Sequence, residues 1–158
     1  MNESQLAMQE GDVAPDFELK ANDGSIIHLE SFKNKKSVVL CFYPKNHLFA
    51  CPSKKVFKMA QSVVSSYSDI VSRDAVLFAI SIDTVEEQKK FVDVYNIPYL
   101  HLSDPTKETC KKYAGLNIVG LAKRSTFIID KQGVIKKIFR DIYVEKHGQE
   151  IANFLKQL

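Results

Sequence analysis

Nearly unbroken apolar runs organise this chain. Ser37–Tyr43 (SVVLCFY) has the pattern of a central strand covered on both faces. Val76–Ile82 (VLFAISI) repeats it. Ser125–Ile129 (STFII) and Val134–Phe139 (VIKKIF) flank Asp130-Lys131-Gln132-Gly133, a hairpin signal. Near the start, Asp16–Lys20 and Ile26–Leu29 flank Asn22-Asp23-Gly24, which reads as a turn between two short strands. Tyr99–Leu102 reads as a further short strand.

Between the strands the period changes. From Pro52 to about Val71, apolar residues fall at Val56, Met59, Ala60, Val63, Val64, Tyr67, Ile70 and Val71, the spacing of a helix with one buried stripe. Asp83 or Thr84 can cap a second helix whose Phe91, Val92 and Tyr95 face inward. Asp104-Pro105 reads as an N-cap and first turn of a third helix, which stops near Gly115. A last helix covers roughly Glu145–Leu158. Strands alternating with helices, then a hairpin and a terminal helix, predict a three-layer α/β sandwich. The 158 residues suit a single domain, 1–158, with no repeat or linker.

Composition narrows the function classes. The net charge of +3 comes from 22 basic and 19 acidic residues spread along the chain, which gives nucleic-acid binding little support. Three widely spaced cysteines do not make a disulfide framework, so a reducing compartment is expected. The N-terminus lacks the apolar core of a signal peptide, and no run is long enough to span a membrane. A soluble, cytoplasmic protein is the expectation.

The most informative position is Cys51, one loop after the central strand and directly before Pro52. Proline is favoured as the first residue of a helix, which puts Cys51 at the N-cap. The unpaired N–H groups and the positive end of the helix dipole then favour a thiolate, the nucleophilic form. Catalytic groups of α/β sheets lie on loops beyond the carboxyl ends of central strands, and Cys51 is so placed.

The other sulfur and imidazole groups read differently. Cys41 lies inside the central strand and is assigned to the core. Cys110, Tyr113 and Ala114 form an apolar stripe, so Cys110 is read as core, with a redox partner as the alternative. His47 and Cys51 alone fall short of a zinc ligand set, and His47 is read as a solvated loop residue or a proton carrier. His28, His101 and His147 carry no motif, and Lys33, Lys35 and Lys36 read as a solvated turn.

Several segments together resemble the peroxiredoxins, in particular the peroxiredoxin Q or bacterioferritin-comigratory branch. They are Gly11-Asp12-Val13-Ala14-Pro15-Asp16-Phe17, Phe42-Tyr43-Pro44-Lys45 followed by Cys51, Leu102-Ser103-Asp104, and Arg124-Ser125-Thr126-Phe127-Ile128-Ile129-Asp130. The resemblance covers nearly the whole chain and implies a thioredoxin-like fold. It implies that Cys51 attacks the O–O bond of a hydroperoxide and becomes a sulfenic acid. Pro44 would shield the site, and Arg124 would hold the thiolate and polarise the peroxide. From the residues alone, Arg124 is equally well read as a solvated surface charge. A reductant such as thioredoxin or another thiol is implied, with no metal, haem or nucleotide cofactor, in a monomer or weak dimer.

The chain also departs from the family pattern. Leu48 stands where a threonine hydroxyl is expected, and losing one transition-state hydrogen bond costs about 2.7–4 kcal/mol. Lys54 replaces a glutamate that braces the arginine, and Val56 and Val92 occupy the usual positions of a resolving cysteine. These changes suggest a one-cysteine route with reduced activity. They also support a competing reading, a thioredoxin-fold binding or chaperone-like protein that has lost efficient peroxidase activity. A thiol–disulfide oxidoreductase finds no Cys-x-x-Cys pair in the loop.

Overall fold

The run at 37–43 forms a strand, Ser37–Phe42, buried at every position. The structure, a computed structural model, describes residues 7–46 and 54–158. In chain order its elements are β1 (Glu18–Ala21), β2 (Ile26–His28), β3 (Ser37–Phe42), α1 (Lys55–Val71), β4 (Ala75–Ser81) and α2 (Val85–Tyr95). They continue with β5 (Leu100–Ser103), α3 (Glu108–Tyr113), β6 (Ser125–Ile129), β7 (Ile135–Phe139) and α4 (His147–Leu155). The described strands form one sheet in the order β2-β1-β5-β4-β3-β6-β7. β3, β4 and β5 run parallel, and β6 is antiparallel to β3.

Alternation along β3 explains the layers. Val39 and Cys41 point to one face, where Val56, Met59, Val63 and Ile70 of α1, Phe91 of α2 and Ile151 and Leu155 of α4 cover them. Val38, Leu40 and Phe42 point to the other face, against Phe17, Cys110, Tyr113 and Phe127. Fully buried side chains such as Leu40, Phe42 and Ile80 contribute about 1.5–3 kcal/mol each. The expected three-layer sandwich is therefore observed. α4 lies so close to α1 that a Cβ on Gly148 would sit 2.1 Å from the Ser62 carbonyl oxygen. The Gly148 N–H donates to Ser62 Oγ at 2.9 Å in the same contact.

Several boundaries differ from expectation. The described α1 begins at Lys55 with Lys54 in the N-cap position, not at Pro52. The expected N-cap, Cys51, and the expected first helical residue, Pro52, lie outside the described residues. On α1, Val64 and Val71 remain exposed although they fit the helical period. Thr84, not Asp83, caps α2, through a reciprocal capping box with Glu87. α3 starts at Glu108 rather than at Pro105, because Asp104–Lys107 closes a turn and Lys107 adopts φ +69°. Asp104 still serves this helix from outside, its Oδ2 accepting the Cys110 N–H at 2.7 Å. α4 is shorter than expected, since Tyr143–Lys146 forms a turn before it. A 3₁₀ turn at Leu29–Phe32 was too short to register as a period.

Candidate active site

β3 and β6 build the site together. Their register pairs Phe42 with Ser125, so Arg124 lies one residue further on, beside Tyr43 at the carboxyl end of β3. The Lys123 N–H donates to the Gly115 carbonyl at 2.9 Å, which ties the approach to β6 to the end of α3. Arg124 is half-buried, and its Nη1 donates to the Met59 thioether at 3.4 Å. Among the described residues no carboxylate lies within ion-pair distance of it. Burial lowers the pKa of the guanidinium, partly offset by the adjacent Tyr43 phenol. A cavity of about 20 Å³, room for roughly one water, opens between Arg124, Tyr43, Met59, Cys41, Val63 and His101.

Pro44 follows β3 as a half-buried bend at the same end of the sheet. Pro44 and Arg124 thus lie at the same end of the sheet, while Cys51, His47 and Leu48 lie outside the described residues. Lys54 is exposed and makes no side-chain cap. Val56 is buried in the α1 core and Val92 half-buried on α2. Cys41 and Cys110 are free and buried on opposite faces of the sheet. Burial pushes the Cys41 thiol up to about 12, against a hydrogen bond to Thr126. Burial, then the Asp104 charge, pushes Cys110 well above the ordinary thiol range. Neither is a thiolate at neutral pH.

Sequence reasoning missed a buried polar cluster directly beneath this end of the sheet. Gln88 Nε2 donates to the Leu102 carbonyl at 3.0 Å and to Ser81 Oγ at 2.9 Å. That fixes the amide, so Oε1 faces the loop after Pro44, accepts Asn46 Nδ2 at 2.7 Å and lies 2.8 Å from the Tyr43 oxygen. The Asn46 backbone N–H donates to Asp83 Oδ2 at 2.9 Å. Burial raises Asp83 to about 6, although the Ser81 hydroxyl donates to it. Burial lowers His101 to about 3, so the ring is neutral, with Nδ1 2.9 Å from the Tyr43 oxygen. The one sequence signal was Gln88, a polar residue three before Phe91 on the inward stripe of α2.

Comparison with known proteins decides the family. Residues 11–138 match the AhpC/TSA family. Peroxiredoxin Bcp of Bacillus subtilis is 32% identical over 161 residues, covering 97% of this chain and 98% of the relative. The chain is a peroxiredoxin of the AhpC/TSA family. The chloroplastic peroxiredoxin Q of Suaeda salsa is also 32% identical, over 96% of this chain and 69% of that protein. Among solved structures, the peroxidoxin BcpB of Mycobacterium tuberculosis superposes with a TM-score of 0.82 at 26% identity, covering 96% of this peroxiredoxin and 98% of that chain. A mutant of Xylella fastidiosa PrxQ reaches 0.86 at 22% identity, with coverage of 96% and 98%, and supports the fold alone. The expected thioredoxin-like peroxiredoxin fold is thereby established. Membership carries the activity class, thiol-dependent reduction of peroxides, and with it a peroxide substrate and a thiol reductant. Nothing in these relatives favours the binding-protein reading. Among the described residues, no helix is long and apolar enough to cross a membrane.

Proposed function

We propose that this peroxiredoxin reduces hydrogen peroxide or organic hydroperoxides through Cys51, with Arg124 as electrostatic stabiliser and Pro44 shaping the pocket. The observation that supports this most is Arg124 itself. A partly desolvated guanidinium held by a thioether, with no carboxylate partner among the described residues, is poised to receive an anion. The strand beside it leads through Pro44 toward Cys51.

The chemistry follows. The Cys51 thiolate attacks one peroxide oxygen, an S–O bond forms and the O–O bond breaks. The leaving alkoxide or hydroxide takes a proton and departs as alcohol or water, and Cys51 is left as sulfenic acid. Arg124 stabilises the charge that spreads over the two oxygens as the bond breaks. An incoming thiol then attacks the Cys51 sulfur, forming a mixed disulfide and releasing water, and a second thiol frees Cys51.

The resolving thiol comes from outside. Val56 and Val92 cannot supply it, and the buried, protonated Cys110 lies beneath the opposite face of the sheet. Thioredoxin, or another small dithiol donor, fits this one-cysteine route in a cytoplasmic, reducing setting. The route requires no second subunit, in keeping with a monomer or weak dimer. Leu48 supplies no hydroxyl to the transition state, so turnover is slower than a threonine would permit.

The test is to oxidise the reduced protein with one equivalent of peroxide, trap sulfenic acid with dimedone and map the adduct by mass spectrometry. An adduct on Cys51 supports the reading. Label on Cys41 or Cys110 only, or none, contradicts it.

A further inference from the structure

The polar cluster beneath β3 has no part in the chemistry above, and a fold does not need it. Buried polar groups are cheaper to replace by apolar ones than to satisfy incompletely. Here they converge on one loop residue. Asn46 is buried although its neighbours Pro44 and Lys45 are not. Three groups hold it: Asp83 takes its backbone N–H, Gln88 Oε1 takes its amide Nδ2, and the Tyr43 hydroxyl lies 2.7 Å from its Oδ1. Gln88 and Asp83 are in turn fixed to β4 and β5 through Ser81 and Leu102.

We infer that Asn46, clamped by Gln88, Asp83 and Tyr43, is the positioning residue of the loop that carries the Cys51 nucleophile. This rests on the reading of Cys51 given above. Cys51 follows Asn46 by five residues, a tether of at most about 18 Å. On its other side the chain enters α1 at Lys55. The clamp gives the chain a fixed point five residues before the sulfur that must line up with an O–O bond. In-line attack tolerates little misplacement, and an error of about 1 Å costs on the order of a hundredfold. Alkylation by a small reagent makes no such demand. The clamp therefore acts on alignment with peroxide and not on the intrinsic reactivity of the thiol.

The test compares Asn46→Ala with Tyr43→Phe, the double variant, and Lys89→Ala as a surface control on α2. Two rates of Cys51 are read, the stopped-flow reaction with hydrogen peroxide and alkylation by iodoacetamide. The expected result for Asn46→Ala is a peroxide rate lowered about tenfold or more, with alkylation within about threefold of wild type. The double variant is expected to lose no more than the worse single one, because the residues act as a unit. If Asn46→Ala does not fold, the milder Tyr43→Phe carries the same comparison. A folded variant with a wild-type peroxide rate, equal losses in both rates, or additive losses would overturn the inference. Hydrogen–deuterium exchange over residues 44–54 reads the clamp without turnover and is expected to quicken in Asn46→Ala. Unchanged exchange also overturns the inference. Wild-type protein that reacts no faster than a free thiol would instead sink the proposed function, and the exchange readout separates the two failures.

Discussion

Arg124 donates to the thioether of Met59 at 3.4 Å across the junction of β6 and α1. Thioether sulfur is a weak acceptor, so the contact orients the guanidinium without neutralising it. Met59 belongs to the buried stripe of α1, and Arg124 opens β6 opposite the end of β3. Helix and sheet thus hold a half-buried cation at the end of the strand that leads to Cys51.

Replacing Arg124 by glutamine removes that charge while keeping a polar side chain of similar reach. The peroxide rate is expected to fall about a hundred- to thousandfold, the scale of one lost transition-state donor. The pH at which Cys51 alkylation is half-maximal should rise with it. A rate within about threefold of wild type would return Arg124 to the role of a surface charge.

Leu48→Thr restores the hydroxyl that the family pattern places before the nucleophile. The peroxide rate of this variant is expected to exceed wild type, by up to about a hundredfold. No gain, with the protein folded, would show that the site works without that donor.

The legible part of this fold was its apolar skeleton. β3, β4 and the β6–β7 hairpin follow from continuous runs, and the α1 stripe from its period. The start of α3 was not legible, because Asp104-Pro105 has the chemistry of a helix start, while the turn and Lys107 in a left-handed conformation delay it. The polar cluster was hidden for another reason. Tyr43 with Asn46, Asp83 with Gln88, and His101 come from three segments far apart in sequence, and the parallel pairing of β3, β4 and β5 brings them together. Arg124 shows the same limit. A lone arginine before a strand is ambiguous, and the β3–β6 register puts it beside Tyr43.

Stability should depend on pH through the buried imidazoles. His101 and His147 are lowered to about 3 and about 4 by burial, His147 also by the nearby Arg124 charge. Above about 6.5 both are neutral in native and unfolded chains and cost nothing. As pH falls below that, the unfolded chain binds two protons that the native protein refuses, so stability drops. Asp83, raised to about 6, acts in the opposite sense by binding one proton in the native state as pH falls toward 3.8. The two imidazole protons outweigh the one that Asp83 takes up, so the net effect between pH 6 and 4 is a loss of stability as pH falls. Urea unfolding at pH 7.0 and 4.5 should show lower stability at 4.5, and equal or higher stability would contradict this account.

Gly148→Ala tests the packing of α4 on α1. The new methyl would meet the Ser62 carbonyl at 2.1 Å, so the helices must separate. A loss of about 1–3 kcal/mol is expected, lowering Tm by roughly 2–4 °C for each kcal/mol. An unchanged Tm would mean that the close approach is relieved at no cost.

Cys51 is proposed here as a peroxide-selective nucleophile. Stopped-flow mixing of the reduced protein with hydrogen peroxide and with cumene hydroperoxide, beside Cys51→Ser, tests it most directly. The expected result is a second-order rate well above that of a free thiol for at least one peroxide, abolished in Cys51→Ser. A rate equal to that of a free thiol, or one that survives in Cys51→Ser, would contradict it.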